Sequence, residues 1–198
     1  MPEISATMVK QLREKSGAGM MDCKKALIES KGDIDKAVEH LRKKGIATAQ
    51  KRSGRSLSEG TIQTYIHMGG KLGAMVEVGC ETDFVAKNED FMAFAKEIAM
   101  HIAATNPVAI TREDVSQETI DKELDIYKSQ ALEMGKPEKI VDKIAEGKLN
   151  KFYKDNCLMQ QAYVKDPEKT VADLLNEMIA KIGENISIKR FVRFQVGE

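Results

Sequence analysis

Near residue 55 the spacing of apolar residues changes from the period of a helix to that of a strand, and this change limits the folds open to the chain. Before it, Ile34, Ala37, Val38 and Leu41 fall at i, i+3, i+4 and i+7, one stripe along a helix. After it, Ile62, Thr64, Ile66 and Met68 alternate with Gln63, Tyr65 and His67, and beyond Gly69-Gly70 a second alternating run aligns Ala74, Val76, Val78 and Cys80. Two alternating runs around Gly-Gly predict a β-hairpin with a primed turn. Helices that give way to a hairpin exclude an all-α or all-β chain and point to the α+β class.

The first fifty residues read as three short helices separated by glycine. Met8 to Lys15 stops at Gly17; Asp22 can cap a second helix that carries Ala26 and Leu27 inward; Asp33 caps the third, which Gly45 is expected to close. The run from Lys43 to Arg55 holds five basic residues and no acid, and ends on the linker-like text SGRS. The expected division is therefore 1–52, a three-helix bundle with its linker, and 53–198, a small antiparallel sheet packed with helices. In the second part Asn88 can cap a helix with the stripe Phe91, Phe94, Ala95, Ile98, Ala99 and Ile102, which must end before Asn106-Pro107. Two further helices start after Ser116 and at Pro137, and another is capped by Thr170 with Asp173. The closing run reads as a strand with Ile186, Ile188, Val192, Phe194 and Val196 on one face; Arg190 breaks the alternation and predicts a bulge or a functional contact.

Composition narrows function more than fold. Charged residues are 31% and hydrophobic ones 42%, the balance of a soluble globular chain, and 31 basic residues offset 31 acidic ones. A dedicated nucleic-acid binder would be strongly basic, so no direct nucleic-acid partner is expected. Apolar runs are too short to span a bilayer and the first residues lack a signal-peptide pattern, so no membrane partner is expected either. Cys23, Cys80 and Cys157 are odd in number and scattered, which reads as reduced thiols in a cytoplasmic protein. His40, His67 and His101 have no ligand spacing, so no metal or cofactor is expected.

A search for reactive groups finds little. Gly17-Ala-Gly19 lacks the third glycine and the preceding strand of a dinucleotide fingerprint, and reads as an interhelical turn. Glu81 with Asp83, and Glu89 with Asp90, could suggest a cation site or acid–base chemistry; Glu89 and Asp90 sit better in a first helical turn, where the dipole favours negative charge. No enzyme is read here. Surfaces remain. Met20 and Met21 share a turn in a bundle too small to bury both easily, so they complete the core or form a contact patch. The basic run is a solvated connector or a ligand site. Phe84 lies in CETDFVAKNEDF, residues 80–91, between a strand and a helix. Either it plugs the space under the hairpin or it is an interface anchor, and the neighbouring Asp83 favours the anchor.

Four stretches in order, SGAGMMDCKKAL (16–27), GCETDFVAKNEDF (79–91), YVKDPEKTV (163–171) and KIGENISIKRFVRFQVG (181–197), resemble the bacterial elongation factor Ts family over essentially the whole chain. The resemblance implies a nucleotide-exchange factor for elongation factor Tu, the GTPase that delivers aminoacyl-tRNA. It implies that the N-terminal bundle is a UBA-like module docking on the G domain of Tu, with Arg13, Met20 and Met21 as candidate contacts. It further implies that Thr82, Asp83, Phe84 and Val85 reach the Mg²⁺ and phosphate site of Tu, where the intruding aromatic dislodges the ion and weakens GDP binding. The chain resembles the short form with one core copy, which implies a homodimer; the final strand and the adjoining helix are the expected contact. Gly79 stands where the family text suggests Asn, and Tyr163 where it suggests Phe; neither falls on Thr82–Val85.

Two other classes are compatible with parts of the chain. A ribosome-associated or nascent-chain module would use residues 1–55 and bind in a salt-sensitive way, but leaves residues 82–85 without a role. An enzyme with catalytic groups distant in sequence would need a substrate-dependent activity that no motif suggests.

Overall fold

The computed structural model describes residues 4–198. Its first three helices are α1 (Ala6–Ser16), α2 (Met20–Glu29) and α3 (Ile34–Arg52). They enclose a small apolar cluster of Val9, Leu12, Cys23, Ala26, Leu27 and Ala37. Gly17 ends α1 with a left-handed backbone, φ 66°, and its N–H reaches Arg13 O, so the glycine stop holds there. Asp22 does not cap α2. Gly19 takes that position, and Asp22 in the first turn accepts a hydrogen bond from Lys44 Nζ at 2.6 Å.

The expectation that Gly45 closes α3 is overturned. The helix runs through it to Arg52, because Gly45 is where α3 crosses the later helix α8 (Val171–Ile182). A Cβ there would stand 3.7 Å from Asn176 O and 3.8 Å from Ala180 Cβ, ordinary contact distances, so the position lies at the packed face between the two helices and would admit an alanine. Three residues upstream, Arg42 donates twice to Asp173, Nε to Oδ1 at 3.1 Å and Nη2 to Oδ2 at 2.7 Å. Ala49, on the same helix, belongs to the main core. Thus one helix carries residues of both apolar clusters.

Strands β1 (Glu59–His67), β2 (Leu72–Cys80) and β5 (Ile186–Gln195) form an antiparallel sheet in the order β1-β2-β5. The β1–β2 connection is longer than the expected two-residue turn. His67 pairs with Leu72, and between them Met68, Gly69 and Gly70 all take positive φ, a left-handed turn that the two glycines permit. Helix α5 (Glu89–Thr105) covers the inner face of the sheet. Its stripe of Phe91, Phe94, Ala95, Ile98, Ala99 and Ile102 is buried against Ala74, Val76, Val78 and Cys80. Asn88 caps it by accepting from the N–H groups of Asp90 and Phe91, and Asn106, with φ 47°, ends it just before Pro107. Fully burying one side chain of this size stabilises by about 1.5–3 kcal/mol, so this stripe is the main apolar contribution of the core.

The bulge expected at Arg190 is present and has a consequence for the faces. Glu77 pairs with Arg190 and Val78 with Ile188, which leaves Lys189 as the extra residue. One extra residue inverts the alternation. Ile186 and Ile188 therefore point into the core, whereas Val192, Phe194 and Val196 are exposed, and the five do not share one face. The outer face of the sheet carries exposed Ile62, Ile66, Met75, Val192 and Phe194.

Helices α6 (Gln117–Glu133) and α7 (Glu138–Asn156) form an antiparallel pair, capped at Ser116 and entered from Pro137. A short hairpin of β3 (Ala162–Tyr163) and β4 (Asp166–Thr170), with no counterpart in the sequence expectations, leads into α8. Thr170 and Asp173 close the expected capping box on α8. The architecture is α+β: a three-helix bundle, a small antiparallel sheet and covering helices.

Candidate functional site

The turn after β2 is a single helical turn, α4 (Asp83–Ala86). Thr82 is its N-cap, and the hydroxyl oxygen accepts the Val85 N–H at 3.4 Å. Val85 and Ala86 lean on the main core. Phe84 does not: the side chain is 82% exposed, the most exposed large apolar residue among the described residues. The plug alternative is thereby excluded, since a plug has neighbours on all sides. Asp83 forms an i, i+4 pair with Lys87, Oδ2 to Nζ 2.8 Å, and this ammonium holds the carboxyl below the usual carboxylate range. Thr82, Asp83, Phe84 and Val85 thus form one continuous feature on the surface, with Val85 facing in and Phe84 facing out.

The turn is braced from residues that sequence reading did not single out. Glu184, in the connection from α8 to β5, accepts three hydrogen bonds: from Thr82 Oγ1 at 2.7 Å, from Thr82 N at 3.1 Å and from Glu81 N at 3.1 Å. In return Glu81 Oε1 accepts the Asn185 N–H, at 2.6 Å. That bond, aided by the Arg55 guanidinium, keeps the Glu81 carboxyl below its ordinary range. Buried Asn185 donates from Nδ2 to Arg55 O at 3.0 Å. Glu184 and Asn185 lie in the quoted text KIGENI, but their partners are about a hundred positions away. No local pattern signals such a pairing.

The second group of candidates sits in the bundle. Met20 and Met21 occupy the first turn of α2 and are 60% and 64% exposed, so both face out and neither completes the core. Arg13 lies exposed in the last turn of α1, before Gly17. These three belong to the small apolar cluster's surface and Thr82–Val85 to the main core's surface, so the structure presents two separate groups. Among the described residues no cluster of three or more His, Cys, Asp or Glu side chains is arranged to hold a metal ion, and no helix is long and apolar enough to cross a membrane.

A family described as Elongation factor TS matches residues 3–198. The chain belongs to this family. It is 61% identical over 198 residues to "Elongation factor Ts" of Desulfosudis oleivorans, covering 100% of both chains. To "Elongation factor Ts" of Desulfotalea psychrophila it is 63% identical over 194 residues, 98% of each chain. To that of Caldanaerobacter subterraneus subsp. tengcongensis it is 61% identical over 195 residues, again 98% of each. Family membership thus extends through both apolar clusters and through the stretches that carry Met20, Met21, Phe84 and Glu184.

Proposed function

We propose that this chain is the nucleotide-exchange factor of elongation factor Tu and that it promotes GDP release through the turn Thr82–Val85. The observation that carries the reading is Phe84, an aromatic kept in water on a braced turn. An exposed Phe on an anchored turn contributes little to its own fold and suits a pocket in a partner. In Tu the pocket would lie beside the Mg²⁺ and phosphate site, where the ion's charge supports nucleotide binding. A factor that binds nucleotide-free Tu more tightly than Tu-GDP weakens GDP binding by the same ratio, because linkage is reciprocal. Such an activity needs no acid, base or nucleophile in the factor itself.

On this reading residues 1–52 are a UBA-like docking module, with Arg13, Met20 and Met21 toward Tu, and residues 53–198 hold the turn and a dimer contact. The outer face of the β1-β2-β5 sheet supports a homodimer, since Ile62, Ile66, Met75, Val192 and Phe194 leave a contiguous apolar face in water. A second copy laid against it would make an aligned sandwich. The final strand stays in the proposed contact; helix α8 turns Val171, Leu175 and Ile179 into the core, so only its other side is open to a contact. The deciding experiment is release of a fluorescent GDP analogue from elongation factor Tu with substoichiometric amounts of this protein. Acceleration is expected; a folded protein without effect on the release rate overturns the reading.

A further inference from the structure

The turn that carries Phe84 cannot hold itself. It is four residues long, and a single helical turn fixes several dihedrals for very few hydrogen bonds, so alone it is unfavourable. Its cap bond, Thr82 Oγ1 to Val85 N, is long at 3.4 Å. What fixes the cap is the partner of its proton. The Thr82 hydroxyl donates to Glu184 at 2.7 Å, which turns its lone pairs toward the Val85 N–H. The same carboxylate takes the N–H groups of Glu81 and Thr82, the last two before the turn. Three donors on one carboxylate are charge-assisted bonds, roughly twice as strong as neutral ones. Gly183 allows the geometry: its φ of 85° ends α8 and turns the chain back to bring Glu184 beside the turn.

We propose that Glu184 is a positioning residue for nucleotide exchange, acting on the partner only through the turn it clamps and so through the placement of Phe84. This rests on the exchange reading above. Asn185 extends the clamp to the segment after α3, through Arg55 O, so one short connection ties the end of β2 to the chain that carries the N-terminal bundle.

The test uses the full-length protein with Glu184→Gln, Phe84→Ala and the double variant. A second variant, Thr82→Val, removes the hydroxyl while keeping the shape. Glu184→Gln replaces the charged acceptor, and the maximal rate of GDP release from Tu is expected to fall about tenfold, the scale of one hydrogen bond to a charged group. The concentration of factor giving half the effect should change little, since the docking module is untouched. In the Phe84→Ala background the same change should cost nothing further, because residues acting through one another are non-additive. An equal loss in both backgrounds, or full activity of Glu184→Gln, overturns the proposal. Amide hydrogen exchange of the isolated protein judges the clamp without Tu. Val85 and Ala86 should exchange faster in both Glu184→Gln and Thr82→Val while α5 stays protected, and unchanged exchange there also overturns it. Inactivity of the unaltered protein on Tu would instead strike the exchange reading, leaving the clamp to be decided by hydrogen exchange.

Discussion

Phe84 and Phe91 belong to the same stretch, residues 80–91, and meet opposite fates: one is 82% exposed, the other fully buried. The difference lies in what each residue's helix rests on. Phe91 opens a 17-residue helix whose apolar stripe covers a sheet, so its own burial helps to hold the element. Phe84 sits on a four-residue turn held by its neighbours and by Glu184, so its side chain is free for another use. A side chain that supports its own element cannot easily be offered to a partner. One supported from elsewhere can.

The comparison makes its largest prediction from these two residues. Phe91→Ala should destabilise the protein by about 3–5 kcal/mol, the range for truncating a buried Phe. Phe84→Ala should lie within about 0.5 kcal/mol of the parent, as surface changes do. Urea unfolding reads both. GDP release from Tu should show the reverse for Phe84→Ala, a large loss of stimulated rate. Similar stability losses at the two positions would break the comparison.

A second, smaller effect sharpens it by asking whether polar anchors act as apolar ones do. Asp173 is buried and answers both the Thr170 cap and Arg42 of α3. Burial pushes its carboxyl up, but the Thr170 donors and the Arg42 guanidinium outweigh it and hold it below the usual value. A depressed carboxylate stabilises above the unfolded pKa near ~3.9 and loses that contribution as pH falls through the folded value. Asp173→Ala should cost about 2 kcal/mol, through loss of the cap and of the Arg42 pair. The pH dependence of its unfolding below about pH 4 should also flatten relative to the parent.

Most of the helical framework was legible because its signals are local. Gly17, Asn88, Asn106-Pro107, Ser116 and the Thr170–Asp173 box mark ends that the backbone obeys. Gly45 was misread because a glycine stop and a glycine crossing look identical in sequence; only the approach of Asn176 and Ala180 separates them. The faces of β5 were misassigned past Lys189, although Arg190 signalled the irregularity, because one bulged residue exchanges inside for outside. At the site, Thr82–Val85 stood out as an unusual strand-to-helix text. Glu184 and Asn185 did not, since their bonds cross about a hundred residues.

The outer sheet face extends the comparison to residues exposed as a group, with an effect on assembly rather than on folding. Phe194→Glu places a charge within the proposed contact, on its edge strand β5. The variant should sediment as a monomer at concentrations where the parent is dimeric, with stability changed by no more than about 0.5 kcal/mol. A parent that is monomeric at all concentrations would remove the second copy from that face.

The smallest effect concerns His101, a polar residue on the buried side of α5. Its Nδ1 accepts the Val164 N–H at 3.3 Å, which puts the proton on Nε2, 3.0 Å from Gln161 Oε1. Thr105 donates to the same oxygen, and Gln161 Nε2 donates to Asp155 O, so every group is satisfied with a neutral ring. Protonation would turn Nδ1–H against an N–H. Burial lowers the His101 pKa, partly opposed by the Gln161 bond. A lowered histidine contributes its stability above the unfolded value near ~6.5, and loses it as pH falls below that value. The urea midpoint should therefore drop between about pH 7.5 and 5, a window above the one in which Asp173 acts. His101→Gln should reduce that drop even if it lowers the midpoint at both pH values. An undiminished drop would place the titrating group elsewhere, and would mean that a polar side chain on the buried face of α5 carries its proton at no cost to the helix that holds Phe91.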